Sequence, residues 1–186
     1  MLRKEHLTSK GLLDIVSLKA SLNLGLPDVL KKAFPNIVPK DRPVVECNGI
    51  KSPHWLAGFA DGESCFFVEK CVSKTHSSGY QVRLKFILSQ DIRDVALLNL
   101  LNNYLNCGKV IVDSKGMSRY VVRKHSDIAL TVIPLFAKYP LQSSKLADYK
   151  DFCEVAKIID SKAHLTKEGL EHIDLIKSGM NRGRFS

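Results

Sequence analysis

One ten-residue stretch decides the fold of this chain: Trp55-Leu56-Ala57-Gly58-Phe59-Ala60-Asp61-Gly62-Glu63-Ser64. Just before it, Ser52 is a suitable N-cap and Pro53 takes the first helical position, where a missing backbone N–H is tolerated. Large apolar residues are interspersed with alanine and glycine, whose small size lets a second backbone approach closely. The stretch therefore predicts a short helix that packs against another helix and then passes directly into a strand.

Two carboxylates mark the end of this predicted helix, Asp61 and Glu63. The carbonyl end of a helix is electronegative, and oxygen atoms are the ligands that hard divalent cations prefer. The helix terminus is therefore a candidate site for a divalent cation.

The same residues resemble the signature of the LAGLIDADG homing endonucleases, which here reads Leu56-Ala57-Gly58-Phe59-Ala60-Asp61-Gly62-Glu63-Ser64. The resemblance implies two such helices packed as a pair, each supplying one acid to Mg²⁺ or another divalent cation that serves DNA strand cleavage. The matching acid is Glu63, with Gly62 beside it at the metal site. The implied face toward the partner helix consists of Trp55, Ala57, Gly58 and Phe59. Two positions depart from the signature: Ala60 replaces a larger aliphatic residue and Ser64 replaces glycine.

Composition limits the alternatives. The chain has 186 residues, 45% of them hydrophobic, which suffices for one well-packed core. A net charge of +9 favours a polyanionic partner without identifying it as nucleic acid. The five cysteines are scattered without a CxxC spacing, which argues against a disulfide framework or a zinc site. No apolar run approaches the length that spans a bilayer, so we expect no membrane partner.

An internal repeat relates the two ends of the chain. Residues 4–25 match residues 162–183 at ten of 22 positions. Each copy has a threonine, Thr8 or Thr166, placed as a helix N-cap, with a leucine before it that can contact the leucine four residues into the helix. We therefore predict one structural unit that occurs twice, with residues 1–25 as the terminal helix region of a preceding repeat.

The order of predicted elements matches the half-domain that the resemblance implies. Residues 26–52, with four prolines, read as an extended linker that includes a short helical turn near Asp28. Residues 53–186 then read helix, two strands, helix, two strands and further helices. We expect an α+β fold, an αββαββα half-domain with a saddle-shaped, antiparallel four-stranded sheet backed by helices. The resemblance also implies another half of the same kind before residue 1.

Alternation along the strands separates an apolar face from a polar one. In the second strand Val82, Leu84 and Phe86 share one side, which suits packing against helices. A basic opposite face suits a nucleic acid, because arginine can bind guanine edges and lysine can bind phosphates. The candidate nucleic-acid contacts are Glu69, Gln81, Arg83, Lys85, Ser89, Arg119 and Arg123. A solvated face whose charges only confer solubility is the alternative.

Two further polar residues resemble positions that the family places near the scissile phosphates: Gln90, at the end of the second strand, and Lys145, after Pro140-Leu141-Gln142-Ser143-Ser144. With Glu63 they form the candidate catalytic set. A lysine there could stabilise charge on a phosphate during metal-assisted hydrolysis. Gln90 as a helix cap and Lys145 as a solvated lysine remain the plainer interpretations.

A single copy of the motif leaves three hypotheses. The chain is half of a Mg²⁺-dependent, site-specific duplex DNA endonuclease, completed by a second half as a homodimer or a separate chain. Alternatively it is a noncatalytic binder of structured RNA, like an intron maturase or an organellar ribosome-associated protein. A third hypothesis is an inert truncation product of a longer reading frame. Retention of Glu63 favours the first hypothesis, whereas the missing partner half favours the second or the third. The resemblance places the protein in the matrix of the mitochondrion or another organelle.

Overall fold

A computed structural model of the chain describes residues 4–43, 48–75 and 78–185. The chain forms two compact units, Met1–Glu46 and Cys47–Ser186. No helix among the described residues combines the length and the apolar character that a membrane crossing requires.

The first unit contains two helices, α1 (Ser9–Ser21) and α2 (Asp28–Ala33). Its following segment, which we predicted to be an extended linker, runs beside α1. Ser17 Oγ donates to the carbonyl of Val38 at 2.5 Å, and the amide of Lys40 donates to the carbonyl of Ser17 at 3.3 Å. These bonds satisfy backbone groups that a free linker would leave to water.

The decisive stretch folds as predicted, as helix α3 (Pro53–Glu63). Ser52 caps it, its Oγ accepting from the amide of His54 at 3.2 Å. The helix ends where Ser64 turns into the extended conformation and directs its buried hydroxyl back to the carbonyl of Ala60 at 2.6 Å. The serine that departs from the family signature thus adds a second hydrogen bond to the Ala60 carbonyl, which also accepts from the Ser64 amide, and this reinforces the helix end.

Four antiparallel strands form one sheet in the order β1-β2-β4-β3. The strands are β1 (Ser64–Val72), β2 (Tyr80–Asp91), β3 (Lys109–Val112) and β4 (Met117–Val122). Helix α4 (Val95–Leu105) connects the two hairpins. This order confirms the predicted αββαββα arrangement with a four-stranded antiparallel sheet.

Strand β2 extends through Gln90, which we predicted at its end, to Asp91. Gln90 and Asp91 pair with Ser118 and Met117 of β4, and this pairing outweighs the helix-forming pattern that begins there. The Asp91 carboxylate then accepts from the amide of Arg93 at 3.0 Å, at the start of a single 3₁₀ turn before α4. Gln90 is therefore a strand residue and does not cap the helix.

The remaining helices complete the layer behind the sheet. They are α5 (His125–Asp127), α6 (Ile133–Lys138), α7 (Lys145–Asp160) and α8 (Lys167–Ser178). A π-helical turn, Ile128–Val132, joins α5 to α6 just before Pro134, whose ring excludes the regular i−4 hydrogen bond. At the centre of the core, the Phe66 ring centroid lies 5.2 to 5.6 Å from those of four aromatic neighbours, Phe86, Phe136, Tyr149 and Phe152.

The two copies of the repeat adopt the same local geometry. Thr8 Oγ1 accepts from the amide of Gly11 at 3.0 Å, and Thr166 Oγ1 accepts from the amide of Gly169 at 3.1 Å. Both glycines are required, because an added Cβ would lie 1.9 Å from a backbone carbonyl oxygen in either copy. Helices α1 and α8 therefore begin by one shared capping arrangement, as the repeat predicted.

The copies differ in what covers their apolar side. In α8, Leu170 is 7% exposed and Ile173 is fully buried in the core of the second unit. Their counterparts in α1, Leu12 and Ile15, are 45% and 42% exposed. The same amphipathic pattern is thus packed in one copy and left largely open in the other.

A polar clamp fixes the segment after α8 to the sheet. The buried carboxylate of Asp148 accepts from the amide of Asn181 at 2.9 Å and from two nitrogens of Arg184 at 3.0 and 3.1 Å. The Asn181 side chain in turn donates to the carbonyl of Phe66 in β1 at 3.2 Å. Because β1 is an edge strand, this amide satisfies one of its otherwise unpaired carbonyls.

Candidate nucleic-acid interface and active site

Helices of the second unit cover one face of the sheet, and on the other, here called the open face, Phe67, Arg83 and Ile111 are exposed. Strand register places on the open face six of the seven residues that we predicted as nucleic-acid contacts, Glu69, Gln81, Arg83, Lys85, Ser89 and Arg119, and Arg123 is exposed just beyond the end of β4. It adds Lys109 and Ile111, which pair with Val121 and Arg119. We had not predicted these two residues as nucleic-acid contacts, because the sheet face that they occupy depends on the β3–β4 register, which the turn between the two strands sets.

A small charge network organises the centre of the open face. Lys85 Nζ lies 2.5 Å from Glu69 Oε1, and the two residues lie diagonally across β1 and β2. The hydrogen bond from Lys85, with the charges of Lys85, Arg83 and Arg123, holds the pKa of the Glu69 carboxyl below its ordinary value against the opposing effect of burial. Glu69 thus stays ionised among three cations, and the face remains positive.

Arg119 is held by a residue that the sequence did not single out. Asp113, in the turn between β3 and β4, lies 3.0 Å from the Arg119 guanidinium. Its carboxylate also accepts from the amides of Lys115 and Met117. These bonds and the nearby guanidinium lower the pKa of the Asp113 carboxyl. The turn therefore orients one of the arginines that point from the open face.

Glu63 leaves helix α3 at one end of the sheet. Its side chain is exposed and makes no hydrogen bond or ion pair with the described residues. Gly62, beside it, is also exposed. A carboxylate and the carbonyls of a helix end are oxygen donors of the kind that Mg²⁺ binds, so the residues fit a divalent cation. Within the described part of the chain, no three acidic, histidine or cysteine side chains converge as a complete cation site.

Asp61, the other acid of the motif, has a different environment. Its carboxylate accepts from the amide of Gln142 at 2.8 Å and from the amide and hydroxyl of Ser143 at 3.1 and 2.6 Å. Burial alone would raise the pKa of the Asp61 carboxyl, but these hydrogen bonds outweigh burial and lower it. Of the two acids, Glu63 is therefore the one available to a ligand.

Lys145 and Gln90 both lie at the Glu63 end of the sheet. The Lys145 ammonium donates to the carbonyl of Ser64, the residue that follows Glu63. Ser64, the first residue of β1, pairs with Leu88 of β2. Gln90 follows two residues later in β2, in the part of that strand that extends beyond its pairing with β1. The three residues that we predicted as the catalytic set thus lie at the same end of the sheet, and their catalytic roles stay a prediction.

Helix α3 presents a stripe of four residues, of which Trp55, Gly58 and Gly62 are exposed and Phe59 is half-buried against the core. The rings of Trp55 and Phe59 stack with centroids 5.1 Å apart, and Trp55 remains 44% exposed. Ala57, which we predicted on this face, lies instead in the core at 6% exposure, because helical geometry turns it to the side of Leu56 and Ala60. An added Cβ at either glycine of the stripe would meet nothing within 4 Å.

A family model described as LAGLIDADG endonuclease matches residues 56–156, from the motif helix through most of α7. The chain belongs to the LAGLIDADG endonuclease family. The predicted recognition is thereby confirmed, and the matched span contains the motif, all four strands and both Gln90 and Lys145.

Sequence relatives cover from about three fifths of the chain to nearly all of it. The "Probable intron-encoded endonuclease 2" of Neurospora crassa is 36% identical over 191 residues, which span 97% of this chain and 41% of that protein. The "Uncharacterized 50.9 kDa protein in ND4 intron 1" of Podospora anserina is 33% identical over 117 residues, 62% of this chain and 26% of that protein.

Solved LAGLIDADG structures share the fold closely. The I-SmaMI homing endonuclease bound to cleaved DNA superposes with a TM-score of 0.96 at 45% identity, over 99% of this chain and 62% of that one. Another I-SmaMI structure holds uncleaved DNA in the presence of calcium ions and gives a TM-score of 0.95 at 44% identity, over 97% of this chain and 62% of that one. The chain thus spans less than two thirds of the length of the relatives that it matches.

Proposed function

We propose that this chain supplies one catalytic half of a site-specific endonuclease that cleaves duplex DNA with Mg²⁺. One observation carries the proposal: an unpaired carboxylate, Glu63, lies at the end of the motif helix with Lys145 and Gln90, next to a sheet face rich in cations. The similarity to a probable intron-encoded endonuclease and to a homing endonuclease bound to cleaved DNA supports the same reaction.

Each residue has a distinct role in this proposal. Glu63 and the Gly62 carbonyl would hold the cation, which when bound polarises a phosphate oxygen and activates water. Lys145 offsets negative charge that develops on the phosphate as a backbone P–O bond breaks and water supplies the replacing oxygen. Gln90 orients the attacking water by hydrogen bonding. The cations of the open face bind phosphates and guanine edges on either side.

A second motif helix completes the site. The stripe of Trp55, Gly58, Phe59 and Gly62 supports this proposal, since glycine in a helix destabilises it by about 0.5–1 kcal/mol relative to alanine and neither glycine is required by its own surroundings. Close approach of a partner helix, which would deliver the second acid, explains why these two positions carry glycine beside open space. The partner is a second half, joined in a longer chain, encoded separately or supplied by a second copy.

We also propose that residues 4–25 are the terminal helix region of a preceding half and that the segment up to residue 52 is the connector to residues 53–186. The shared threonine cap and the open apolar side of α1, against the packed side of α8, support this division. The site of action would be the mitochondrial matrix, because relatives are encoded in introns and one is named for an intron of ND4.

The test first selects, from a randomised library, the DNA duplexes that the full chain binds. Nicking of these duplexes by the chain is then measured as a function of Mg²⁺ concentration. Glu63→Gln should reduce cleavage by at least about 10²-fold, as loss of a group that stabilises the transition state does, while duplex affinity is retained. Glu168→Gln, which removes an exposed carboxylate from α8, is the matched control and should cleave normally.

Wild-type cleavage by Glu63→Gln would refute the assigned role. Preference for structured RNA over duplexes, with no nicking and no effect of Glu63→Gln, would replace the proposal by the RNA-binding alternative. Salt dependence of binding must be recorded in both cases, because phosphate contacts weaken steeply as salt rises.

A further inference from the structure

A series of hydrogen bonds runs from Asp61 through the loop before α7 to Ser64, the residue that follows Glu63. It begins at Asp61, whose carboxylate binds the amide of Gln142 and both the amide and the hydroxyl of Ser143. These donors lie 81 and 82 residues away in sequence. Asp61 therefore attaches the end of the motif helix to a distant loop.

Ser143 continues the connection to Lys145. Its Oγ accepts from the amide of Lys145 at 3.2 Å, and Ser144, the N-cap of α7, makes no side-chain capping bond of its own. Lys145 then reaches back with its ammonium to the carbonyl of Ser64, immediately after Glu63. The path thus leaves α3 at one acid and returns beside the other.

The loop has few other attachments. Gln142, Ser143 and Ser144 are exposed, and Leu141 is the buried residue that joins the loop to the core. A lysine side chain has four rotatable bonds and needs a fixed starting point to place its charge. The Asp61 bonds supply that fixed point for the backbone of Lys145.

We propose that Asp61 is a positioning residue that acts through Ser143 to hold the Lys145 ammonium at the Glu63 end of α3. The inference rests on the proposed function, in which Lys145 stabilises charge on the phosphate. Asp61 binds no metal in this arrangement, and its contribution to cleavage depends on Lys145.

A double-mutant cycle tests this dependence in the cleavage-competent assembly of the full chain. Asp61→Ala should reduce kcat by about 10²-fold, the effect of misplacing a catalytic group by roughly 1 Å, without a change in duplex affinity. In a Lys145→Ala background the same substitution should cause no further loss, because residues that act as a unit are not additive. Asp61→Asn, which keeps one acceptor for Ser143, should lie between wild type and Asp61→Ala.

Thr166→Ala is the control for a purely structural effect. It removes the cap of α8, a comparable bond to a helix start that has no connection to Lys145. It should reduce thermal stability with normal kcat. A multiplicative loss in Asp61→Ala/Lys145→Ala would overturn the proposal, as would a normal kcat in Asp61→Ala or a shift of its Mg²⁺ dependence.

A second measurement stays informative if the wild type does not cleave and the proposed function fails. The rate of Lys145 acylation by an amine-specific reagent, followed by mass spectrometry, reports whether its ammonium is held. Lys150, exposed on the same helix, is the internal reference. Asp61→Ala should raise the Lys145 rate toward that of Lys150, and an unchanged rate would overturn the positioning role whether or not DNA is cleaved.

Discussion

Replacement of Gly58 and Gly62 by alanine should stabilise the isolated chain and abolish its pairing with a partner half. Both glycines lie on the stripe of α3, and an added Cβ has nothing within 4 Å at either position. Alanine in a helix is favoured over glycine by about 0.5–1 kcal/mol, so the double variant should gain about 1–2 kcal/mol. Against a partner helix, the two new methyl groups would separate the backbones that glycine allows to meet.

Urea unfolding at a concentration where the chain is monomeric measures the first effect, which corresponds to about 2–4 °C in Tm for each kcal/mol. Sedimentation velocity with the partner half, or at high concentration for self-association, measures the second. Gly169→Ala is the control, since its Cβ would lie 1.9 Å from the Ala163 carbonyl oxygen and must destabilise the fold. A double alanine variant that is less stable as a monomer, or that pairs normally, would refute the reasoning.

Three further predictions test the repeat, the open face and its charges. Ile173→Ala should cost about 2–5 kcal/mol in urea unfolding because Ile173 is fully buried, whereas Ile15→Ala at the equivalent position should cost far less; equal costs would contradict the difference in packing. Arg83→Ala should reduce the slope of log affinity for duplex DNA against log salt by about 0.9, measured by fluorescence anisotropy, if its guanidinium contacts one phosphate, and an unchanged slope would exclude that contact. Lys85 lowers the pKa of Glu69 in the folded state, so the ionised Glu69 stabilises the fold fully above the ordinary glutamate pKa, and this stabilisation disappears as pH falls through the lowered pKa. The free energies of unfolding of Glu69→Gln and wild type, measured across pH 3–7, should therefore converge only at the acid end.

Local chemistry made much of the fold predictable. The bounds of α3 follow from Ser52 and Pro53 at its start, and the two faces of β2 follow from strict alternation. The repeat revealed the start of α8 because the same cap occurs in α1. In each case the deciding residues lie within a few positions of the feature that they determine.

Other features depend on partners that sequence spacing does not reveal. The extension of β2 requires Ser118, and the side of Lys109 depends on strand register. Alanine is small enough for either a core or a helix–helix contact, so the sequence did not indicate which face of α3 Ala57 occupies. Asp61 and Glu63 look equivalent in the motif, and their difference arises from Ser143, 82 residues beyond Asp61.

The edge strand β1 is a place where this sheet could pair with a strand of another molecule. Its outer side keeps one carbonyl occupied because the Asp148 clamp holds the Asn181 amide against Phe66. Proteolysis that removed the segment after α8 would expose a template for intermolecular β-pairing, since an uncovered strand edge recruits other chains. The C-terminal turn therefore also protects the protein from aggregation.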